Sequence, residues 1–256
     1  MTTDHRPLVL ASAPYKHIRD LPVDVAVLPW GATEPHNLHL PYGTDIIECD
    51  RIGAEAARKA ALRGGRVIVL PTVPFGVNTG QIDFPLTINM NPSTQMAVLE
   101  DVADSLDRQG IPKLAILNGH GGNDFRQMIR EIQMRHRIFL CSMNWWTCID
   151  TKPFFEDAGD HAGEMETSLM LHLAPELVLP LSEAGTGREK SMKIRAFRQG
   201  WAWAPRQWRK VTEDTGAGNP KPASAEKGRR YFEAVTDEIA DFLVELGWAN
   251  LDDLYE

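Results

Sequence analysis

The sequence predicts an α/β protein with a mostly parallel sheet covered by helices on both faces. Short apolar runs alternate with stretches of helical periodicity, and the connections between them are brief. Unusual polar residues also gather just after three of the apolar runs, where sheets of this kind build their sites, beyond the carboxyl ends of the strands.

The elements follow in order. Val23 to Leu28 reads as a buried strand ending at Pro29. Cys49, Ile52, Ala56 and Ala60 recur at steps of three and four, and Gly64 with Gly65 stops that helix. Val67 to Leu70 is a second strand. Asn91 and Pro92 read as a cap and a first-turn proline, followed by a helix through Met96, Leu99, Ala103 and Leu106 that Gly110 ends. Leu114 to Leu117 is a third strand, Phe125 to Ile132 a helix, and Ile138 to Met143 a fourth strand. Glu164 to Leu173 is a helix closed by Pro175, and Phe232, Val235, Ile239, Phe242 and Leu246 mark a long final helix. Gly185 to Pro220 breaks the alternation as an excursion. No internal repeat or domain boundary appears, so residues 1–256 read as one domain.

Composition narrows the class. The 256 residues carry a net charge of -8, against nucleic acid or an anionic membrane as the main partner. No run approaches the ~20 apolar residues of a membrane span, and no signal-peptide stretch opens the chain. Cys49, Cys141 and Cys148 match no zinc or redox spacing and read as reduced thiols. The expectation is a cytoplasmic protein.

Three polar blocks share one sheet edge: Gly31 to Asp45 after the first strand, Asn118 to Asn123 after the third, and Asp160 to Ser168 after the fourth. Glu34 and His36, two apart in extended backbone, point the same way. A carboxylate with an imidazole suits zinc, manganese or iron. Asp45 can bridge two ions, His120 sits in a glycine-flanked turn, and Glu164 adds a third carboxylate. Such a set suits two cations roughly 3.5–4 Å apart with water between them. His39 reads as a supporting or substrate-contacting group, Glu166 as a supporting or capping residue, and His5, His17, His136 and His172 as surface or core.

These blocks resemble the creatininase family. Its first motif, GxxExHGPHLPxxTD, matches at Gly31, Glu34, His36, His39, Leu40, Pro41, Thr44 and Asp45. NGHGGN is intact at Asn118 to Asn123, HAGExETS at His161 to Ser168, and GxPxxASAEKG is similar to Gly218 to Gly228. The resemblance implies a three-layer α/β/α sandwich and two divalent metal ions per subunit. It implies Glu34, Asp45 and His120 on one ion, with His36, Asp45 and a further glutamate on the other. That glutamate falls at Gly122 in creatininase itself, so the resemblance assigns the role to Glu164 here. It also implies a cytoplasmic homo-oligomer, often a hexamer.

The chain departs from the pattern at Pro35, Asn37 and Leu38. Asn78 stands for a substrate-contacting serine, Leu86 for a glycine, and Asp157 lies where creatininase closes a tryptophan over its ring. These departures argue against creatinine. The expected reaction is hydrolysis of a carbon–nitrogen bond in a small cyclic or linear amide by a hydroxide bridging the two ions. His161 would deliver a proton to the leaving nitrogen or else orient Glu164. Asn78, His39 and the amide of Gly121 are candidate substrate contacts. Other readings are a phosphate-binding module without catalysis and a two-metal phosphoesterase; convergent carboxylates separate the first from the hydrolase. The excursion carries eight basic residues between Gly185 and Lys210 with Trp201, Trp203 and Trp208 interleaved. It reads as a lid or subunit interface ahead of a nucleic-acid surface.

Overall fold

The computed structural model describes residues 8–256, so His5 lies outside the described residues. Four strands, β1 (Val25–Trp30), β2 (Val67–Val69), β3 (Lys113–Asn118) and β4 (Phe139–Asn144), form a sheet in the order β2-β1-β3-β4. Every pairing is parallel. The helices are α1 (Tyr15–Ile18), α2 (Thr44–Leu62), α3 (Pro92–Arg108), α4 (Arg126–Gln133), α5 (Glu164–Leu173), α6 (Arg195–Arg198), α7 (Trp208–Val211) and α8 (Ala225–Trp248).

Alternation along the central strands sorts the helices into layers. Val25 and Val27 of β1, with Ala115 and Leu117 of β3, pack against Ile52 and Ala56 of α2 and against Tyr231, Val235 and Ile239 of α8. Ala26, Leu28, Leu114 and Ile116 face the other way, onto Leu99 and Ala103 of α3 and Ile132 of α4. The result is the expected three-layer α/β/α arrangement, with β1 and β3 buried on both faces and therefore almost wholly apolar. Helix α8 lies across α5 and α2. Its Gly228 lets α5 come close, since a Cβ there would stand 1.9 Å from the Ser168 carbonyl oxygen. Ser224 caps α8 by accepting from the Lys227 amide at 3.3 Å.

Three local expectations shift. The first strand runs through Pro29 to Trp30. The Val69 end of β2 leaves that side of β1 without a ladder, and there the Pro29 carbonyl simply accepts from the Val73 amide at 2.9 Å, so the missing N–H costs no strand bond. Asn91 occupies the N-cap position of α3 without a capping bond from its side chain, whose Oδ1 instead accepts from Asn89 Nδ2 at 2.9 Å. The second helix starts at Thr44, earlier than its apolar periodicity, which sets Asp45 in its first turn. None of the described helices is long and apolar enough to cross a membrane. Cys49, Cys141 and Cys148 are free thiols.

Candidate metal centre

The three polar blocks meet at the carboxyl edge of the sheet. Glu34 and His36 come from the loop leaving β1, Asp45 from the first turn of α2, His120 from the turn after β3, and His161 and Glu166 from the start of α5. Three overlapping sets have ligand atoms within 4.8 Å of one another: Glu34, Asp45 and His120; His36, Asp45 and Glu166; and Glu34, His36 and His161. His120 Nδ1 stands 3.0 Å from Glu34 Oε1 and 3.1 Å from Asp45 Oδ2. His36 Nε2 lies 2.8 Å from Asp45 Oδ1. His161 Nδ1 lies 3.8 Å from Glu34 Oε1, with its ring 4.2 Å from that of His36.

The outward nitrogens explain why these rings point inward. His36 Nδ1 donates to the Glu34 carbonyl at 3.0 Å, His120 Nε2 to the Val77 carbonyl at 3.0 Å, and His161 Nε2 to the Pro35 carbonyl at 2.9 Å. A carbonyl only accepts, so each outward nitrogen carries the hydrogen. The inward one is then free to give its lone pair to a cation once its own proton leaves. Three imidazoles held this way around three carboxylates form a nitrogen and oxygen donor set that fits divalent zinc, manganese or iron.

Electrostatics follow from burial and crowding. Burial opposes a charged His36, yet Asp45, Glu166 and Glu34 outweigh it and push its pKa up to about 10. Burial likewise opposes charge on His120, but Glu34 and Asp45 raise its pKa well above the usual value. For Asp45 and Glu34 burial works upward, and the neighbouring imidazoles win, holding both carboxyls below their ordinary range. The upward shifts of His36 and His120 and the downward shifts of Glu34 and Asp45 are two sides of the same imidazole–carboxylate attraction.

Glu164 is not part of this cluster, which corrects its assignment as the further glutamate. Its Oε2 accepts the backbone amides of Glu156 and Asp157 at 3.0 and 3.1 Å, and its Oε1 pairs with Lys227 Nζ. Glu166 faces the centre in its place. Residues two apart on a helix point about 200° apart, so only one of the pair can face the centre. A side chain at Gly122 has no room in this arrangement, since a Cβ there would lie 2.2 Å from the Val77 carbonyl and 2.4 Å from His120 Nε2.

The remaining candidates sit around the centre. His39 is buried, with Nε2 3.0 Å from Thr167 Oγ1. Burial and His36 push its pKa down to about 4. Asn78 braces its loop, with Nδ2 donating to the Ile88 carbonyl at 3.1 Å. Gly121 is exposed in the turn, with open space above it. The excursion returns to pair Ala217 with His161 and sets Trp208 edge-on to the His161 ring at 5.0 Å. Trp201 and Trp203 are exposed.

Two residues escaped the sequence reading. Gln81 donates Nε2 to Glu34 Oε2 at 2.6 Å from a loop on which no sequence pattern points to it. Glu48 lies one turn beyond Asp45 on α2, a spacing visible in the sequence, and is fully buried with neither carboxyl oxygen hydrogen-bonded among the described residues. Burial, then the nearby Glu166 and Asp45, raise its pKa well above the ordinary carboxylate value.

A parallel sheet with converging imidazoles and carboxylates at its carboxyl edge defines an α/β protein with a metal-binding site. The creatininase family model, described as creatinine amidohydrolase, matches residues 13–243. The chain belongs to the creatininase family, hydrolases acting on carbon–nitrogen bonds. It is 29% identical over 224 residues to the mycofactocin precursor peptide peptidase of Mycobacterium ulcerans, covering 83% of this chain and 81% of that protein. A Bacteroides fragilis crystal structure with a provisional creatinine amidohydrolase designation is 46% identical, with a TM-score of 0.91 over 98% of this chain and 99% of that one. A manganese creatininase shares the fold at a TM-score of 0.78 and 22% identity, covering 93% of this chain and 98% of its own.

Proposed function

We propose that the protein is a two-metal amidohydrolase that cleaves a carbon–nitrogen bond in a small amide. The observation that carries this is the set of three imidazoles, each tied outward to a backbone carbonyl and turned inward on shared carboxylates. Glu34, Asp45 and His120 would hold one ion, and His36, Asp45 and Glu166 the other. Two divalent cations held there would supply Lewis acidity and a water ionised near neutral pH.

The chain's own groups do the rest. The Pro35 carbonyl fixes the His161 ring, and Trp208 covers it, so Nδ1 faces the reacting region as a proton carrier for the leaving nitrogen. A cleft of about 650 Å³ is lined by Asp157, Asp160, Arg188, Glu189, Asn219 and Lys221, with Asp160 next to His161 in the chain and Ala217, also in its lining, bridged to His161. It is large and polar enough for a substrate longer than a single ring. The mycobacterial relative's name makes a short peptide the first amide to try. The convergence of carboxylates disfavours a site built for phosphate anions. On the same reading the chain is one metallohydrolase domain, cytoplasmic and homo-oligomeric, with residues 185–220 as lid or subunit interface.

Elemental analysis of the wild type and of Glu34→Ala and Asp45→Ala tests the reading. About two ions per chain in the wild type, lost in both variants, supports it. No bound metal after reconstitution with zinc, manganese and iron overturns it.

A further inference from the structure

The loop between β2 and α3 reaches the centre through Gln81, and that side chain is only half used. Gln81 is 3% exposed, Nε2 donates to Glu34 Oε2 at 2.6 Å, and Oε1 has no hydrogen-bond partner among the described residues. Chemistry fixes which end is which. A flipped amide would set its oxygen against a carboxylate oxygen that can only accept. The other carboxylate oxygen, Glu34 Oε1, is the one near His120 and His161. Gln81 thus occupies the outer oxygen of Glu34 and leaves the inner one facing the centre.

The loop is built to hold that position. Gln81 N donates to the Asn78 carbonyl at 3.0 Å, and Phe84 N to the Gln81 carbonyl at 3.0 Å, a tight turn on either side of the residue. The basic excursion clamps the loop from outside. Trp208 N donates to the Gly80 carbonyl at 3.1 Å, and Arg209 Nη2 to the Asp83 carbonyl at 2.6 Å. A buried acceptor left without a donor is costly, so Oε1 offers a place for a donor such as a water or a substrate N–H. Oε1 shares the planar amide with Nε2, so the bond to Glu34 also fixes where Oε1 stands. An amide substrate whose carbonyl is drawn to the centre brings an N–H to such a place.

We propose that Gln81 is a positioning residue that presents a single oxygen of Glu34 to the metal, and that its own carbonyl receives the N–H of the amide substrate. The inference rests on the two-metal reading, and its test separates the two. Zinc affinity is measured by competition with a chromophoric chelator on the wild type, on Gln81→Met, which keeps the shape but neither hydrogen bond, and on Gln81→Asn, which falls one methylene short. Thr87→Val, in the same loop but without a bond to Glu34, is the control.

In the Gln81 variants one zinc equivalent should weaken by roughly 10- to 100-fold, the usual effect of removing a group that orients a metal ligand. The metal-free variants should stay folded, with a modest drop in melting temperature from the lost bond to Glu34, and the control should bind as the wild type does. Should Gln81→Met fail to fold, Gln81→Asn decides. Unchanged zinc affinity in the folded variants overturns the positioning role while leaving the two-metal reading intact. A wild type that binds no zinc overturns that reading itself. The acceptor role is read on the zinc-loaded protein with acetohydroxamate and N-methylacetohydroxamate, which differ in the N–H. The preference for the N–H form should fall roughly fivefold in Gln81→Met, the worth of one neutral hydrogen bond. An unchanged preference overturns it.

Discussion

Two glutamates on the first turn of α5, Glu164 fully buried and Glu166 half-buried, live in opposite surroundings. Glu164 is satisfied by its own chain, with two backbone amides on one oxygen and Lys227 on the other. It ties the loop at residues 156–157 and the start of α8 to α5. Glu166 accepts one backbone amide, from Ala162, and otherwise faces His36 and Asp45. Burial alone does not mark a metal ligand. A carboxylate whose bonds are complete within the fold serves stability, and one left facing imidazoles and other carboxylates is available to a cation.

The sharpest way to break this contrast is at the shared carboxylate. Asp45→Ala removes an oxygen donor from both metal sets. Bound metal should fall from about two ions to below one, and amide hydrolysis by about a thousandfold or more, since each cation contributes several kcal/mol to the reaction. Elemental analysis and a peptide-amide assay read this, and retention of both ions would break the assignment. Next is the α5 pair itself. Glu164→Ala should keep its metal and lose about 3 kcal/mol of stability in denaturant unfolding, because it leaves the Glu156 and Asp157 amides and Lys227 without their acceptor. Glu166→Ala should lose one ion, with little cost to the metal-free fold. The reverse pattern would return the ligand role to Glu164.

The smallest effect concerns Glu48. Its carboxyl is raised in the folded protein, so the folded state holds a proton that the unfolded chain gives up near pH 4.5. Its stabilising share is complete below that pH and is lost as pH rises toward the folded pKa. Glu48→Gln should therefore stabilise the metal-free protein by about 1 kcal/mol at pH 8 and much less at pH 5. Thermal melts at the two pH values check this, and a gain that grows toward pH 5 would place the charge elsewhere.

Much of the cluster was legible because the residues proposed to hold the ions lie on short, locally determined segments. Glu34 and His36 share an extended stretch, and His120 is framed by glycines, of which Gly119 and Gly122 leave no room for a side chain. Glu166 was passed over for Glu164 because the choice depends on how far α5 is rotated about its axis, and α8 and the loop at residues 156–157 set that rotation. Gln81 lies 47 residues from the Glu34 it holds, in a loop without periodicity. Glu48 could have been noticed from its one-turn spacing to Asp45, but its lack of partners depends on what packs around α2.

The sequence by itself determined the alternating elements, the parallel sheet and the kinds of donor at its carboxyl edge, because hydrophobic periodicity and turn chemistry act over a few residues. The tertiary structure alone decided which glutamate of α5 turns inward, which oxygen of Glu34 is left open, and how the excursion reaches back over His161. Those choices depend on helix rotation and on contacts between distant segments, and only packing of the whole chain sets them.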